Sequence, residues 1–307
     1  MVAQMSEPIA YLNGEFVPAS RCALRVYDLG IVFGAAVTDL LRTFQQKPYR
    51  LSDHVRRLYR SCKYARIEPP VPAEKSMEIS RELIARNADL APGRELILVY
   101  YMTAGESPVY AGAAATGDEL SPTYLQHTFP LPAALWRDLF LHGAHCITPA
   151  SRHTAPQSLS SNIKHRNRLH MWIGDHEAHL ADPKAIALYL DLDGNIAETG
   201  GSNFVIYREG AVISPRRRNM LWGISLTVLA EILGEMGVPL IEQDIQVYDV
   251  VNADEAWLPT TPYCLAPAVR INGTDIGDGR PGPMWRKILT RWSKIVNKDI
   301  YQEIAGS

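Results

Sequence analysis

Asp191-Leu192-Asp193-Gly194-Asn195-Ile196-Ala197-Glu198-Thr199-Gly200-Gly201-Ser202-Asn203-Phe204 joins a strand, a turn, a carboxylate and a Gly-rich bend ahead of another strand. Upstream lies Ser160-Ser161-Asn162-Ile163-Lys164-His165-Arg166-Asn167-Arg168-Leu169, a polar, turn-forming run that reaches a lysine. Leu169, Trp172 and Ile173 follow at helical spacing, so a helix is expected just after Lys164. A lysine at such a boundary, with apolar neighbours, can lose the solvation of its ammonium. Desolvation favours the neutral amine, the form that attacks carbonyls and makes Schiff bases. Most lysines are solvated surface charges, so Lys164 taken alone reads either way.

The remaining chain supplies strands and helices without strict alternation, which argues α+β over a doubly wound sheet. Ile9 to Val17 reads as a hairpin around the Asn13-Gly14 turn. Cys22 to Tyr27 reads as a further strand. Asp28-Leu29-Gly30 leads through Phe33-Gly34 into a strand from Val37 to Phe44, on which Thr38, Leu40 and Arg42 share a face. Arg42 reads either as a surface ion pair or as a pocket cation. Ser52 or Asp53 is placed to cap a helix near His54 with Val55, Leu58, Tyr59 and Cys62 as its apolar face. A second helix is expected over Pro72–Asn87, and a buried strand over Leu96–Thr103. Ala104 to Pro122, rich in Gly, Ala, Ser and Pro, reads as a long loop. Pro130-Leu131-Pro132 is the expected linker between a small N-terminal domain (1–130) and a larger C-terminal one (131–307) that carries the lysine. Gly223-Ile224-Ser225 opens a helix, Glu255 to Thr261 is a strand running into a polar turn, and Met284 to Val296 is a final amphipathic helix.

Composition narrows the function. Of 307 residues, 47% are hydrophobic and 21% charged, and the formal net charge is -2, which gives no polybasic field for nucleic acid or an anionic membrane. The nine histidines show no zinc spacing, so no metal is expected. The four cysteines are far apart and read as free buried thiols in a reducing compartment, hence a cytoplasmic protein. The N-terminus has no basic region followed by an apolar core, so no signal peptide is read there. No glycine-rich nucleotide motif is present.

The Asn162-Ile163-Lys164 segment and the Glu198 to Asn203 bend together resemble the class IV aminotransferases, the fold type IV pyridoxal-phosphate enzymes. The likeness runs from about Tyr11 to Trp285. It implies a small N-terminal α/β domain and a larger, β-barrel-like domain with flanking helices. It also implies pyridoxal 5'-phosphate as cofactor, an amino donor and an oxo-acid acceptor as substrates, and a homodimer. Lys164 becomes the Schiff-base lysine and Glu198 the carboxylate at the pyridine nitrogen, which keeps the ring an electron acceptor. The run His54-Val55-Arg56-Arg57-Leu58 matches the family's His-x-x-Arg-Leu, so Arg57 maps to the phosphate-gripping arginine, a suitable fork of donors. The phosphate is expected at the start of the Ile224-Ser225 helix, where open N–H groups and the dipole favour an anion. Thr260 and Thr261 close that cup, Leu221 packs on the ring face, and Asn203 belongs to the cofactor set. Phe33, Thr38, Leu40 and Arg42 line the expected substrate pocket.

The chain departs from its relatives where they hold the substrate carboxylate. Pro262 follows Thr261 and has no N–H to give. Ser107-Pro108 is followed by Val109, Tyr110 and Ala111, which lack the cations of the D-amino-acid enzymes. Arg42 is then the remaining expected cation on the pocket strand. Lys164-His165-Arg166-Asn167-Arg168-Leu169 is similar to the aminodeoxychorismate lyases, and Asp278 to Pro283 to the R-selective amine transaminases. Transamination is the function expected; a β-elimination lyase, or a cofactor binder without turnover, is the alternative.

Overall fold

The computed structural model describes residues 7–112 and 120–306. Their contacts divide the chain into two compact units. One is built from residues up to Leu131 plus Ile163–Asn167, the other from Pro132–Asn162 and from Arg168 onward. The lysine segment thus counts with the first unit, whereas the sequence reading placed it in the C-terminal domain.

The first unit is a six-stranded sheet with helices. Its strands are β1 (Ile9–Leu12), β2 (Glu15–Pro18), β3 (Ala36–Phe44), β4 (Lys47–Pro48), β5 (Leu96–Thr103) and β6 (Tyr124–Pro130), in the order β2-β1-β6-β5-β3-β4. Asn13 and Gly14 both take positive φ, which lets the first hairpin close in two residues. The helices of this unit are α1 (Leu29–Val32), α2 (Leu51–Ala65), α3 (Ala73–Asn87) and α4 (Pro108–Ala111). Helix α2 packs on β3, burying Val55, Leu58 and Cys62 as their spacing predicts. It begins at Leu51, earlier than expected, and neither Ser52 nor Asp53 caps it. Arg50, in a left-handed conformation, turns the chain into the helix, and Asp53 pairs with Arg50 and Arg56. Cys22–Tyr27 is not a strand. Asp28 ends that stretch by accepting the Gly30 N–H at the start of α1. Within the expected loop 104–122, Pro108–Ala111 forms a helical turn, and residues 113–119 lie outside the described residues.

The second unit is a nine-stranded mixed sheet that curls into a half-barrel. Its strands are β7 (Ala144–Ile147), β8 (Ile186–Leu190), β9 (Ile196–Thr199), β10 (Val205–Arg208), β11 (Ala211–Ser214), β12 (Leu240–Glu242), β13 (Glu255–Thr260), β14 (Cys264–Ile271) and β15 (Thr274–Asp275). The path runs β12-β11-β10-β13-β14-β7-β8-β9, with β15 beside β14. Its helices are α5 (Arg137–His142), α6 (Leu169–Ala181), α7 (Ile224–Glu235), α8 (Val247–Val251), α9 (Pro283–Val296) and α10 (Ile300–Ala305). Trp257, Trp285 and Trp292 are wholly buried. The Glu255 carboxylate accepts the N–H groups of Met284 and Trp285, so it caps the start of α9.

Helix α6 corrects the sequence reading in where it begins. It starts at Leu169, five residues after the lysine, and it buries Met171, Gly174 and Ala178. Leu169, Trp172 and Ile173, whose spacing announced the helix, are exposed. Their spacing correctly identified one side of a helix, and that side faces outward. Among the described residues, no helix is long and apolar enough to cross a membrane.

Candidate active site

In the first unit, Lys164 sits in a short extended run laid along β3. His165 bridges Val37, the Thr38 N–H donates to the Lys164 carbonyl at 2.9 Å, and the Arg166 N–H donates to the Ala36 carbonyl at 3.1 Å. The Lys164 N–H donates to Ser61 Oγ at 3.2 Å, and that hydroxyl donates to the Arg57 carbonyl one turn back on α2. The lysine backbone is therefore fixed by both a strand and a helix.

Arg57, on the same helix, is gripped by Asp39 of β3. Its Nε and NH2 donate to the two carboxylate oxygens, each at 2.8 Å, and His54 Nδ1 meets Oδ1 at 2.7 Å. Burial opposes ionisation of Asp39, but the Arg57 and His54 charges and hydrogen bonds outweigh it and hold the carboxyl well below its usual range. Burial pushes His54 down, against the pull of Asp39. The sequence reading found Arg57 and missed Asp39, because an aspartate in an apolar strand carries no local sign of its partner.

The expected substrate-pocket residues diverge. Thr38 is buried and donates to the Tyr100 carbonyl at 2.6 Å, Leu40 is half-buried, and Phe33 is exposed with its ring edge toward Tyr110. Arg42 is only 1% exposed. Its Nε donates to the Thr43 carbonyl, its guanidinium lies 4.0 Å over the Phe44 ring, and its charge helps hold down the Glu95 carboxyl. This burial excludes the surface ion pair.

In the second unit, Glu198 lies on β9, one residue before its end, and is held from three sides. Oε1 accepts the Leu221 N–H at 3.2 Å and meets His153 Nε2 at 3.2 Å, while Asn203 Nδ2 reaches Oε2 at 3.4 Å. Asn203 also donates to the Leu221 carbonyl at 2.7 Å and accepts the Gly223 N–H at 3.1 Å. A Cβ on Gly223 would collide with Asn203 Oδ1, so glycine is required where this loop enters α7. The bend before it is tied by Thr260 Oγ1 to the Gly201 carbonyl at 2.7 Å and by the Asn203 N–H to the Pro259 carbonyl. Gly223 leads into α7 with no side-chain cap, so the first-turn N–H groups around Ile224 and Ser225 are left for another acceptor. Thr261, Pro262 and Tyr263 form the tip between β13 and β14. His153 was missed because it lies 45 residues from Glu198, and a lone histidine reads as ordinary core. Glu198, Asn203, Leu221, Ser225 and Thr260 are brought into one neighbourhood of this unit by the bonds that knit bend, loop and helix.

A lysine fixed on a strand and an uncapped helix beside a buttressed carboxylate are parts of one family. The chain belongs to the class IV aminotransferases, whose family description, amino-transferase class IV, matches residues 36–271. Branched-chain-amino-acid aminotransferase-like protein 1 of Arabidopsis thaliana is 26% identical over 96% of this chain, which spans about half (52%) of that relative. D-alanine aminotransferase of Bacillus licheniformis is 25% identical, covering 91% of this chain and 93% of its own. In structure, the branched-chain amino acid aminotransferase of Thermobaculum terrenum in its PLP form matches with a TM-score of 0.81 at 20% identity, covering 98% of this chain and 96% of its own. The expected fold class is borne out.

Proposed function

We propose that this chain is a pyridoxal-phosphate-dependent transaminase that moves an amino group between an amino acid or amine and a 2-oxo acid. The observation that carries this reading is the family match across 36–271, which takes in both Lys164 and Glu198. The donor set also fits the cofactor. The uncapped start of α7 with Ser225 suits a phosphate, and Glu198, held in place by the Leu221 N–H and Asn203, suits a protonated pyridine nitrogen. When bound, the cofactor supplies an electron sink for the substrate carbon.

Each residue then has a task of its own. Lys164 would hold the cofactor, and its amine would move the proton at the substrate carbon. Glu198 keeps the ring nitrogen protonated, and Asn203, the Leu221 N–H and His153 keep Glu198 aimed. Ile224 and Ser225 offer N–H groups and a hydroxyl to the phosphate, with Thr260 and Thr261 at the neighbouring turn. Arg57 spends Nε and NH2 on Asp39, which orients its NH1 end for the phosphate. Leu221 covers the ring, and Phe33, Thr38 and Leu40 line the substrate side.

The test is absorbance of the cofactor-loaded protein on adding amino donors. A transaminase bleaches the aldehyde-form band and regains it with an oxo acid. A β-elimination lyase, the reading that the Lys164 to Leu169 likeness favours, releases pyruvate from aminodeoxychorismate with no acceptor; that result would replace the proposal. A binder does neither.

We further propose a cytoplasmic homodimer. Its support is apolar surface on each unit: Val26, Ile31, Phe33 and Val109 on the first, and Leu169, Trp172 and Ile173 on the second. Sedimentation that finds an active monomer would refute it.

A further inference from the structure

An N-cap side chain fixes how the chain enters a helix, but it takes one of the first-turn N–H groups for itself. The N-cap of α7 is Gly223, which has no side chain to do either. The entry is fixed by its neighbours instead. Asn203 accepts the Gly223 N–H at 3.1 Å. Trp222, half-buried, folds back along the first turn of the helix. Its Nε1–H donates to Thr227 Oγ1 at 3.0 Å, and that hydroxyl donates to the Gly223 carbonyl at 3.2 Å. None of these bonds uses the N–H of Ile224 or Ser225.

The indole is held on its face as well. Three arginines stand in a row at Arg216, Arg217 and Arg218. Arg216 and Arg218 both turn to Asp244, whereas the Arg217 guanidinium lies 3.6 Å over the Trp222 ring. Glu242, at the end of β12, places Arg217. Its Oε1 accepts the Arg217 Nε–H at 2.6 Å, and its Oε2 accepts the Arg217 backbone N–H at 3.3 Å. The pair is exposed, and exposed pairs add little to global stability. Its effect is local, at the end of a chain of contacts from Glu242 through Arg217, Trp222 and Thr227 to the Gly223 carbonyl.

We propose that Trp222 is a positioning residue for the cofactor phosphate. Clamped between Arg217 and Thr227, it fixes the entry to α7 so that the N–H groups of Ile224 and Ser225 stay open and aimed at the anion. This inference rests on the cofactor reading given above.

The test titrates the full-length protein, freed of cofactor, with pyridoxal 5'-phosphate and with pyridoxal, the same aldehyde without its phosphate. The ratio of the two affinities reads the phosphate site. Wild type, Trp222→Leu, Trp222→Phe and Arg217→Met are compared, with folding checked by circular dichroism. In Trp222→Leu the preference for the phosphate-bearing aldehyde should fall by roughly 3- to 10-fold, the scale of one hydrogen bond. Trp222→Phe keeps a ring under Arg217 but has no N–H, so it should lie between Trp222→Leu and wild type. Arg217→Met should lower the preference by about 2- to 5-fold, the scale of an exposed cation–π contact. An unchanged preference, or equal falls with both aldehydes, would show that Trp222 only braces the fold and would overturn the proposal. If Trp222→Leu does not fold, Trp222→Phe and Arg217→Met decide by the same ratio. A second arm titrates inorganic phosphate by calorimetry, with no aldehyde involved. Its affinity should drop by a similar factor in Trp222→Leu. Equal affinity in the two proteins, or none in wild type, would overturn the positioning role. If wild type binds neither aldehyde, the cofactor reading fails by itself, while the phosphate arm still decides for or against Trp222.

Discussion

Arg57 on α2 and Asp39 on β3 form a two-bond pair, Nε to Oδ2 and NH2 to Oδ1, each 2.8 Å long, with the carboxylate wholly buried. Removing one member of a buried pair strands the other, at a cost of about 3–5 kcal/mol. Asp39→Asn should therefore lower stability by that order in urea unfolding. It should also raise the dissociation constant for pyridoxal phosphate, because Arg57 loses its orientation. Unchanged values for both would separate the pair from the phosphate.

The same cluster sets a pH dependence. His54 has its folded pKa depressed below its ordinary 6.5, so the unfolded chain takes up a proton there that the folded chain refuses. Stability should fall as pH drops below about 6.5. Asp39 is depressed below its ordinary 3.8, so its contribution, complete above that value, is lost as pH falls further. His127 and His170, also pushed down by burial, act in the same direction as His54. Urea midpoints between about pH 7.5 and 5 should decline in wild type and decline less in His54→Gln. A flat wild-type profile would contradict this.

Glu198→Gln keeps the shape of the side chain but removes its charge. It should cut kcat by about 100-fold, the scale for one preorganised electrostatic group, with a smaller effect on cofactor binding. Stopped-flow measurement of the first half-reaction reads this directly. An unchanged rate would take the pyridine nitrogen away from Glu198.

Gly223→Ala places a methyl group against Asn203 Oδ1. Overpacking of this kind costs about 1–3 kcal/mol. The change should disturb the Asn203 bonds to Gly223 and Leu221, and cofactor retention should weaken along with thermal stability. Full retention at wild-type stability would mean that the loop relaxes freely.

Much of this architecture was legible because its signals are local. Asn13-Gly14 dictates a hairpin, and Gly223 followed by a helical pattern dictates an uncapped helix start. What failed was non-local. Strand β14 was missed because Pro267 interrupts its apolar run, and it pairs with Trp257 all the same. The α6 stripe showed helical spacing, but spacing cannot say which side is covered. Asp39 and His153 gain meaning only when folding brings them to Arg57 and Glu198. Arg42 and Arg166 look alike in sequence; their neighbours, Phe44 and Glu95 for one and Thr38 and Tyr101 for the other, distinguish them.

The central claim is that Lys164 carries the chemistry, and borohydride reduction of the cofactor-loaded protein followed by peptide mapping tests it most directly. The account predicts a phosphopyridoxyl group on Lys164, with Lys164→Ala unlabelled and without multiple turnover. Label on another lysine, or sustained turnover in Lys164→Ala, would contradict it.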